Sequence, residues 1–316
     1  MQEYTIEKIV NMEHKDRNIF LSRNLKNSFG VSYSSVGNDT VLSEYGLCRA
    51  DPENPIQNRT IEWYDENVLS PMIKNGKISD GSNSPFDDRK MRYHRGKFYG
   101  STAIDPREIC IFEFGHSHFL EYKEKRNRTK EETERLTKMG IERFNDPYAF
   151  FPRNPGVTGI IKTNDKRIII GQRNVQPDKY DGLLQGAAGH LEFRQDPKDI
   201  ILRDDLYREL NEETGVSKNQ VTNLEFLGLF SDPSVGGDDL DFCYLVDVDL
   251  PSNYFSEGGW KEIVPEKQRE HSQFFAIHNY NDLKELLNSG KFENREFDIV
   301  FSTCGPLEQL VYKDFK

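Results

Sequence analysis

Long apolar runs are missing from the sequence, and this absence argues against a membrane-spanning helix. The 316 residues contain no run of about 18 consecutive apolar residues, the length that crosses a bilayer as a helix. The first twenty residues, MQEYTIEKIVNMEHKDRNIF, mix charges and lack the apolar middle of a signal peptide. We therefore expect a cytoplasmic protein with no membrane partner.

Cysteine is scarce, and its spacing does not fit the usual cysteine-based sites. The four cysteines are Cys48, Cys110, Cys243 and Cys304, and no two of them form a C-x-x-C pair. A structural zinc site or a disulfide framework is therefore not expected. Each cysteine is interpreted as a reduced thiol, most simply a small buried apolar side chain.

An excess of basic charge is also missing. Lys and Arg number 42 against 53 Asp and Glu, which gives a formal net charge of −11. General nucleic-acid-binding proteins usually present a basic field, so no nucleic-acid partner is expected. A small anionic substrate stays compatible with this balance because a bound divalent cation can reverse the local field.

The organisation of the chain changes near its middle, and its length suits about two domains. Residues 1–90 show weak periodicity, and a segment with three prolines, 145–156, separates them and the following elements from a more regular second half. We predict an N-terminal domain over 1–152 and a second domain over 153–316. No internal repeat is found.

The second half predicts more strands than helices. A hairpin is expected around Asn164 and Asp165, and further strands in NLEFLGLF, DFCYLVDVDL and SQFFAIH. NDLKELLNSG predicts a short helix that Asn281 caps and Gly290 ends. With one longer helix in the middle, the pattern indicates an α+β fold with a mixed sheet. The N-terminal domain is predicted as a smaller α/β unit from the strand EICIFEFG and the helix TKEETERLTKMGIERF.

The longer helix lies in DPKDIILRDDLYRELNEETG and carries clear boundary signals. Asp196 suits its N-cap, Pro197 its first position and Gly215 the left-handed position after its end. Leucines recur at every fourth residue and predict a buried stripe: Leu202, Leu206 and Leu210.

A cluster of carboxylates lies beside this stripe: Asp205, Glu209, Glu212 and Glu213. Like charges one turn apart cost roughly 0.2–0.5 kcal/mol per pair. A negative charge in the last turn costs about 0.3–1 kcal/mol more. One interpretation is a solvated acidic face. The other is a site for a hard divalent cation, because carboxylate oxygens suit Mg²⁺ or Mn²⁺.

The segment RELNEETGV, from Arg208 to Val216, resembles the end of the Nudix box, R-E-U-x-E-E-x-G-U, with apolar residues at both U positions. GHLE, from Gly189 to Glu192, resembles the start of the same box. The resemblance spans roughly residues 155–280. It implies the Nudix fold, a mixed sheet between helices in which the box forms a loop, a helix and a loop. It also implies hydrolysis of a nucleoside diphosphate linked to another group.

The resemblance also implies roles for particular residues. A Mg²⁺ ion, or Mn²⁺ in its place, would be bound by the three box glutamates and a backbone carbonyl: Glu209, Glu212, Glu213 and Gly189. Arg208 would orient the glutamates through charge-assisted hydrogen bonds. A further catalytic carboxylate would come from Glu266 or Glu270. We favour Glu270 because it directly precedes a predicted strand; the alternative is an ordinary surface glutamate.

Two departures from the family pattern stand out. The distance from Gly189 to Arg208 is stretched by about five residues, and Gln195 stands where the box has a glutamate. The second change is expected to remove a supporting contact or an outer ligand. The box glutamates themselves are retained, so we still expect activity.

The N-terminal segments KFYGSTAI, ICIFEFG and EYKEKRNRT, with the stretched box, resemble the Nudix-type UDP-glucose pyrophosphatases. This implies cleavage of UDP-glucose or UDP-galactose to UMP and the sugar 1-phosphate. The alternatives are hydrolysis of ADP-ribose, NADH or another dinucleotide, and a non-catalytic module that senses a nucleotide. RNA decapping fits the acidic net charge least.

Candidate substrate contacts are few. Arg173 and Tyr180 flank the loop that a Nudix substrate would pass, and Tyr122 and Asn127 offer a stacking ring and an amide. Further candidates are Phe98, Tyr99, Arg126 and the loop 231–242. For each, the alternative is a core or surface role. The N-terminal domain is expected either to bind substrate or to mediate a homodimer.

Overall fold

The computed structural model of the chain describes residues 3–5, 30–31, 89–99, 109–118, 129–144, 147–148, 151, 153–174, 182–192, 202–231 and 240–314. The elements before residue 145 are β1 (Glu3–Thr5), β2 (Gly30–Val31), β3 (Arg89–Tyr99), β4 (Ile109–His118) and α1 (Lys130–Phe144). The four strands form a sheet in the order β1-β3-β4-β2, in which only β2 and β4 run parallel.

The second half supplies the larger sheet. Its strands are β5 (Pro155–Lys162), β6 (Ile168–Arg173), β7 (Leu184–Gln185), β8 (Ala187–His190), β9 (Val221–Ser231), β10 (Leu240–Val248) and β11 (His271–Ile277). Their order is β11-β6-β5-β10-β9, with β7 paired to β6 and β8 to β5. Among these pairs only β5 and β10 are parallel, so the sheet is mixed as the sequence predicts.

Helices complete the second half: α2 (Leu202–Thr214), α3 (Ser252–Ser256), α4 (Tyr280–Ser289) and α5 (Phe301–Asp314). Short 3₁₀ turns cover Lys218–Gln220, Gly259–Glu262 and Glu266–Gln268. A two-stranded ribbon, β12 (Lys291–Phe292) with β13 (Arg295–Glu296), joins α4 to the segment before α5.

Two apolar clusters lie on the two faces of the larger sheet. Successive side chains of β10 point to opposite faces of the sheet. Phe242 and Tyr244 belong to the first cluster, and Cys243 and Leu245 belong to the second. The first cluster takes up the predicted leucine stripe of α2, Leu202, Leu206 and Leu210. The second takes up leucines of α4 and α5, Leu283, Leu286, Leu307 and Leu310. The sheet is therefore held between helices, and the α+β prediction is confirmed.

Most local signals in the second half are confirmed. Asn164 and Asp165 form the turn between β5 and β6, and Gly290 ends α4 with a φ of 68°. The predicted cap of α4 is wrong, because Asn279 rather than Asn281 is the N-cap. The side chain of Asn279 accepts a hydrogen bond from the backbone N–H of Asp282 at 3.0 Å, whereas Asn281 lies inside the first turn.

Helix α5 is missing from the sequence-based prediction and contains Pro306. A proline inside a helix has no N–H to offer to the carbonyl four residues earlier, here Ser302. The thiol of Cys243 lies 3.3 Å from that carbonyl oxygen and donates to it from strand β10. The buried cysteine thus satisfies an acceptor that Pro306 leaves open, beyond the apolar role that the sequence suggested.

Strand β3 connects the N-terminal part of the chain to the larger sheet. Met91 and Tyr93 are fully buried within the first apolar cluster. The N–H of Met91 donates to the carbonyl of Leu191 at 3.3 Å, and that of Tyr93 to the carbonyl of Arg153 at 2.8 Å. The division at residue 152 and the smaller N-terminal domain stay predictions, and β3 shares a core with the larger sheet. Among the described residues, no helix is both long enough and apolar enough to cross a membrane.

Candidate active site

Helix α2 presents two faces because residues four apart align along a helix. Its leucine stripe packs on the sheet, and beside it runs a second row formed by Asp205, Glu209 and Glu213. These three side chains are buried, with exposed fractions of 3%, 8% and 3%. A solvated acidic face therefore does not describe them. Glu212 points away from the sheet and is exposed.

The carboxylate of Glu213 is held from two sides at one oxygen. The backbone N–H of Ala188 in β8 donates to its Oε2 at 3.0 Å. The imidazole Nε2 of His271, at the start of β11, lies 3.3 Å from the same oxygen. The C-terminal half of α2 is thereby joined to two different strands of the sheet.

The carboxylate of Glu209 packs directly over the backbone of Gly189. A Cβ atom at position 189 would overlap all three atoms of this carboxylate group, so only glycine permits the approach. Arg208 forms an ion pair with Glu209, with 2.6 Å between Nη2 and Oε1. The sequence-predicted neighbours Gly189 and Glu209 are therefore in contact.

Arg208 connects the helix to the loop before it. Its Nη1 donates to Glu212 Oε2 at 3.1 Å, and its Nη2 donates to the carbonyl oxygen of His190 at 3.2 Å. Glu192 Oε1 lies 3.7 Å from the same Nη2 and also accepts from Lys90 of β3 at 2.8 Å. Arg208 is thus in contact with two glutamates of the helix and with the preceding loop. The orienting role that the resemblance implies stays a prediction.

Glu270 directly precedes β11, and Arg173 is the last residue of the neighbouring strand β6. Arg173 Nη2 is 3.1 Å from Glu270 Oε2, and its Nη1 donates to Gln185 Oε1 at 2.8 Å. Both residues are near enough to Glu213 for their charges to act on its pKa, in opposite directions. The alternative candidate Glu266 is exposed in a 3₁₀ turn and makes no described contact with these residues.

The electrostatics of the site favour a positive ligand. Burial, and then the charge of Glu213, raise the pKa of Glu209 to about 8. Burial, and then the charge of Glu270, raise the pKa of Glu213 well above its ordinary value. Burial alone would lower the pKa of Arg208, but the surrounding carboxylates reverse this and raise it. Arg208 and Arg173 together do not offset the burial and mutual repulsion of the carboxylates, because the pKa values of Glu209 and Glu213 stay raised.

A hard divalent cation fits this donor set, since carboxylates and a backbone carbonyl are the oxygen ligands it prefers. Glu209, Glu213 and the carbonyl of Gly189 could hold it, and Glu212 could join after leaving Arg208. Within the described ranges, no group of three or more His, Cys, Asp or Glu side chains is already arranged to hold a metal ion. A cation is therefore inferred from the buried carboxylates, whose negative charge the surrounding side chains do not neutralise.

The structure gathers seven of the residues predicted from the sequence at one end of the larger sheet: Arg173, Gly189, Arg208, Glu209, Glu212, Glu213 and Glu270. Tyr122, Asn127, Arg126 and Tyr180 lie outside the described residues, as does most of the loop 231–242. So do Gln195, Asp196 and Pro197, and the first described residue of α2 is Leu202. Phe98 and Tyr99 lie on β3, where the structure describes their backbone alone.

His271 is the principal residue that the sequence analysis missed. It directly follows Glu270 and opens a strand, so the only signal was a polar side chain at the edge of an apolar run. A register irregularity between His271 and Gln273 breaks the alternation that would have predicted its burial.

Comparison with known proteins yields similarities to solved structures only. No family model and no curated protein matches the chain. The NUDIX domain of NrtR from Shewanella oneidensis, in complex with ADP ribose, is 17% identical with a TM-score of 0.35, covering 57% of this chain and 98% of that one.

Two further structures give similar values. The bifunctional NMN adenylyltransferase/ADP ribose pyrophosphatase of Francisella tularensis, with AMP and a Mn ion, is 18% identical with a TM-score of 0.36; the match covers 57% of this chain and 46% of that one. A NUDIX hydrolase from Nitrosomonas europaea is 16% identical with a TM-score of 0.33, over 51% and 89% of the two chains. Such values are too low to assign the chain to a family.

Proposed function

We propose that the protein is a Nudix-type pyrophosphohydrolase that cleaves a nucleoside diphosphate linked to another group, with Mg²⁺ or Mn²⁺ as cofactor. The observation that carries the proposal is the pair of buried glutamates, Glu209 and Glu213, beside Gly189. Two buried like charges are costly unless protons or a cation offset them. A diphosphate substrate that arrives with a divalent cation suits this arrangement.

The bound cation would supply neutralisation of phosphate oxygens and acidification of a water molecule. Glu209, Glu212 and Glu213 would bind it, and Arg208 holds two of them in position through its two Nη atoms. Glu270 would accept the proton of the attacking water. Arg173, in its ion pair with Glu270, is a candidate contact for a phosphate oxygen.

Two substrate classes are proposed, UDP-sugars and ADP-ribose or dinucleotides. UDP-glucose and UDP-galactose are supported by the resemblance of the N-terminal segments, most of which lie outside the described residues. For ADP-ribose and dinucleotides, the same catalytic helix would serve. ADP-ribose and AMP are ligands of two of the similar structures above. ADP-ribose is therefore included in the substrate test below.

The test is hydrolysis of a nucleotide panel with Mg²⁺, with and without EDTA, and products identified by chromatography. The panel contains UDP-glucose, UDP-galactose, GDP-mannose, ADP-ribose, NADH and a cap analogue. Release of UMP from UDP-sugars would support the narrower proposal, and release of AMP from ADP-ribose would support the second class. Tight nucleotide binding with no turnover would contradict the enzyme proposal and support the alternative of a nucleotide sensor.

Glu212→Gln is the variant that tests the catalytic helix. The amide keeps a polar contact with Arg208 but removes one ligand charge, and Glu212 is exposed, so folding should be unaffected. Loss of several kcal/mol of transition-state stabilisation would reduce kcat by about 100-fold or more. Glu285→Gln, on the exposed face of α4, is the matched control and should retain full kcat. Full activity of Glu212→Gln at saturating Mg²⁺ would contradict the proposed role of Glu212 as a metal ligand.

A further inference from the structure

His271 occupies a fully enclosed position next to the proposed metal ligands. Its side chain has no exposed surface, and its ring lies 4.8 Å from that of Phe274, measured between centroids. On the neighbouring strand β6, a Cβ at Gly171 would overlap the imidazole. The imidazole therefore fits against β6 only because residue 171 is a glycine.

The polar contacts of the ring are one-sided. Nε2 lies 3.3 Å from Glu213 Oε2, whereas Nδ1 has no hydrogen-bond partner among the described residues. A glutamate that binds a cation is ionised, and an ionised carboxylate oxygen can only accept. In that state Nε2 carries the hydrogen and donates it to Glu213. The neutral tautomer with a bare Nδ1 satisfies the one contact that is present.

We propose that His271 is a positioning residue that holds Oε2 of Glu213, so that Oε1 is the oxygen presented to the divalent cation. The inference rests on the proposed function. The N–H of Ala188 donates to the same Oε2 at 3.0 Å, so two donors occupy one oxygen and leave the other available.

A neutral donor suits this task better than a cationic one. Lysine or arginine at this position would fix Glu213 equally well, but its charge would offset the charge that attracts the cation. A neutral imidazole restricts the rotation of the carboxylate and leaves its charge intact. The backbone N–H of Ala188 has the same property, so both donors that hold Glu213 are uncharged.

The test compares Mn²⁺ binding to the full chain, without nucleotide, by electron paramagnetic resonance titration. His271→Leu removes the donor at similar volume, and His271→Gln restores an N–H at the reach of Nε2. Loss of a hydrogen bond to a metal ligand typically costs 10–100-fold in metal affinity. We expect a loss of about this size for His271→Leu and recovery of most of it for His271→Gln. His278→Leu, an exposed histidine just after the same strand, should bind as the unmodified protein does.

The outcomes separate this inference from the proposed function. Unchanged Mn²⁺ affinity in His271→Leu, with normal binding by the unmodified protein, would overturn the role of His271 and leave the enzyme proposal standing. Binding of Mn²⁺ without hydrolysis of any nucleotide would overturn the enzyme proposal and leave His271 in place. Failure of the unmodified protein to bind Mn²⁺ would overturn both.

A second measurement needs no variant and covers the case in which substitutions at this buried position prevent folding. In the unmodified protein labelled with ¹⁵N-histidine and saturated with Mg²⁺, NMR should show His271 as the tautomer with hydrogen on Nε2. Its signal should be broadened by Mn²⁺, because the ring contacts Glu213, which would bind the ion. Hydrogen on Nδ1, with a bare Nε2, would overturn the proposal.

Discussion

At the scale of single residues, one missing methyl group determines how closely Glu209 approaches strand β8. Glycine at position 189 allows the carboxylate to lie against the backbone, where a Cβ would overlap it. We expect Gly189→Ala to displace Glu209 and to reduce Mn²⁺ affinity by about 10-fold or more, by analogy with other losses of ligand positioning. The chain should still fold, since the leucine stripe of α2 that packs on the sheet is unchanged. Mn²⁺ titration measures the effect, and unaltered affinity would contradict the contact.

The buried carboxyls also predict how stability depends on pH without metal. The pKa of Glu209 is raised to about 8, against about 4.3 for an unfolded glutamate. The folded state therefore holds this proton more tightly, and the stabilisation is lost as pH rises through 8. Glu213, whose pKa is also raised, acts in the same direction. In EDTA we expect the free energy of unfolding to fall by about 2 kcal/mol between pH 6.5 and 8.5.

That window avoids the opposite contribution of His271. Burial, and then the charge of Arg173, lower the pKa of His271 to about 3, so its contribution to stability is lost only as pH falls below about 6.5. Urea denaturation at several pH values in EDTA measures the trend. Glu209→Gln should flatten it. A free energy of unfolding that rises from pH 6.5 to 8.5 would show that these carboxyls are already ionised in the folded protein.

The sequence was informative about residues whose roles depend on local spacing. Glu209 and Glu213 are four residues apart on one helix, as are Arg208 and Glu212, so the helical repeat alone predicts that the members of each pair are neighbours. The contact of Gly189 with Glu209 required the resemblance to a known motif. His271 could not be predicted because its partner lies 58 positions away in the sequence and the strand irregularity masks its burial.

At the scale of elements, the C-terminal end of α2 is closed by Gly215 and Tyr254. Gly215 has a φ of 71°, and the hydroxyl of Tyr254 donates to the carbonyl of Thr214 at 3.2 Å. A Cβ at position 215 would lie 2.8 Å from that hydroxyl and 2.9 Å from Cβ of Ile263. The end of the helix that carries the glutamates is therefore closely packed.

Gly215→Ala should destabilise the protein through both backbone strain and this contact. The left-handed conformation alone costs about 1–2 kcal/mol for a residue with a Cβ. Gly258→Ala is the matched control: its φ is 85°, but the added Cβ would meet only Lys261, at 3.5 Å. Chemical denaturation should show a larger loss for Gly215→Ala, and equal losses would show that the packing around Tyr254 adds nothing.

The elements themselves could be predicted to different degrees. Helix α2 and the strands β5, β6, β9, β10 and β11 follow from periodicity and turn residues. Helix α5 does not, because Gly305 and Pro306 locally argue against a helix. Packing of Leu307 and Leu310 on the second face of the sheet outweighs that preference. Long-range packing of this kind leaves no signal in the local sequence.

At the scale of the whole molecule, the first apolar cluster depends on a strand from the N-terminal part of the chain. Met91 is fully buried there. We expect Met91→Ala to reduce the free energy of unfolding by about 2–5 kcal/mol, the usual range for such a truncation in a core. Ile141→Ala, on a side chain that is 50% exposed, should change it by less than about 0.5 kcal/mol. Equal effects in urea denaturation would show that β3 is not part of this core.

The parallel pairing of β5 with β10 has a consequence for how the chain acquires its structure. Pro155 pairs with Leu240 and Lys162 with Asp247, so the two strands meet only after the 77 residues between them have been made. Pairings that span so much sequence close slowly because the loop entropy is lost first. During synthesis, the leucine stripe of α2 emerges before β10 can complete the surface that covers it. Refolding should therefore be slow, with a stage in which this helix exposes apolar side chains and is open to chaperones.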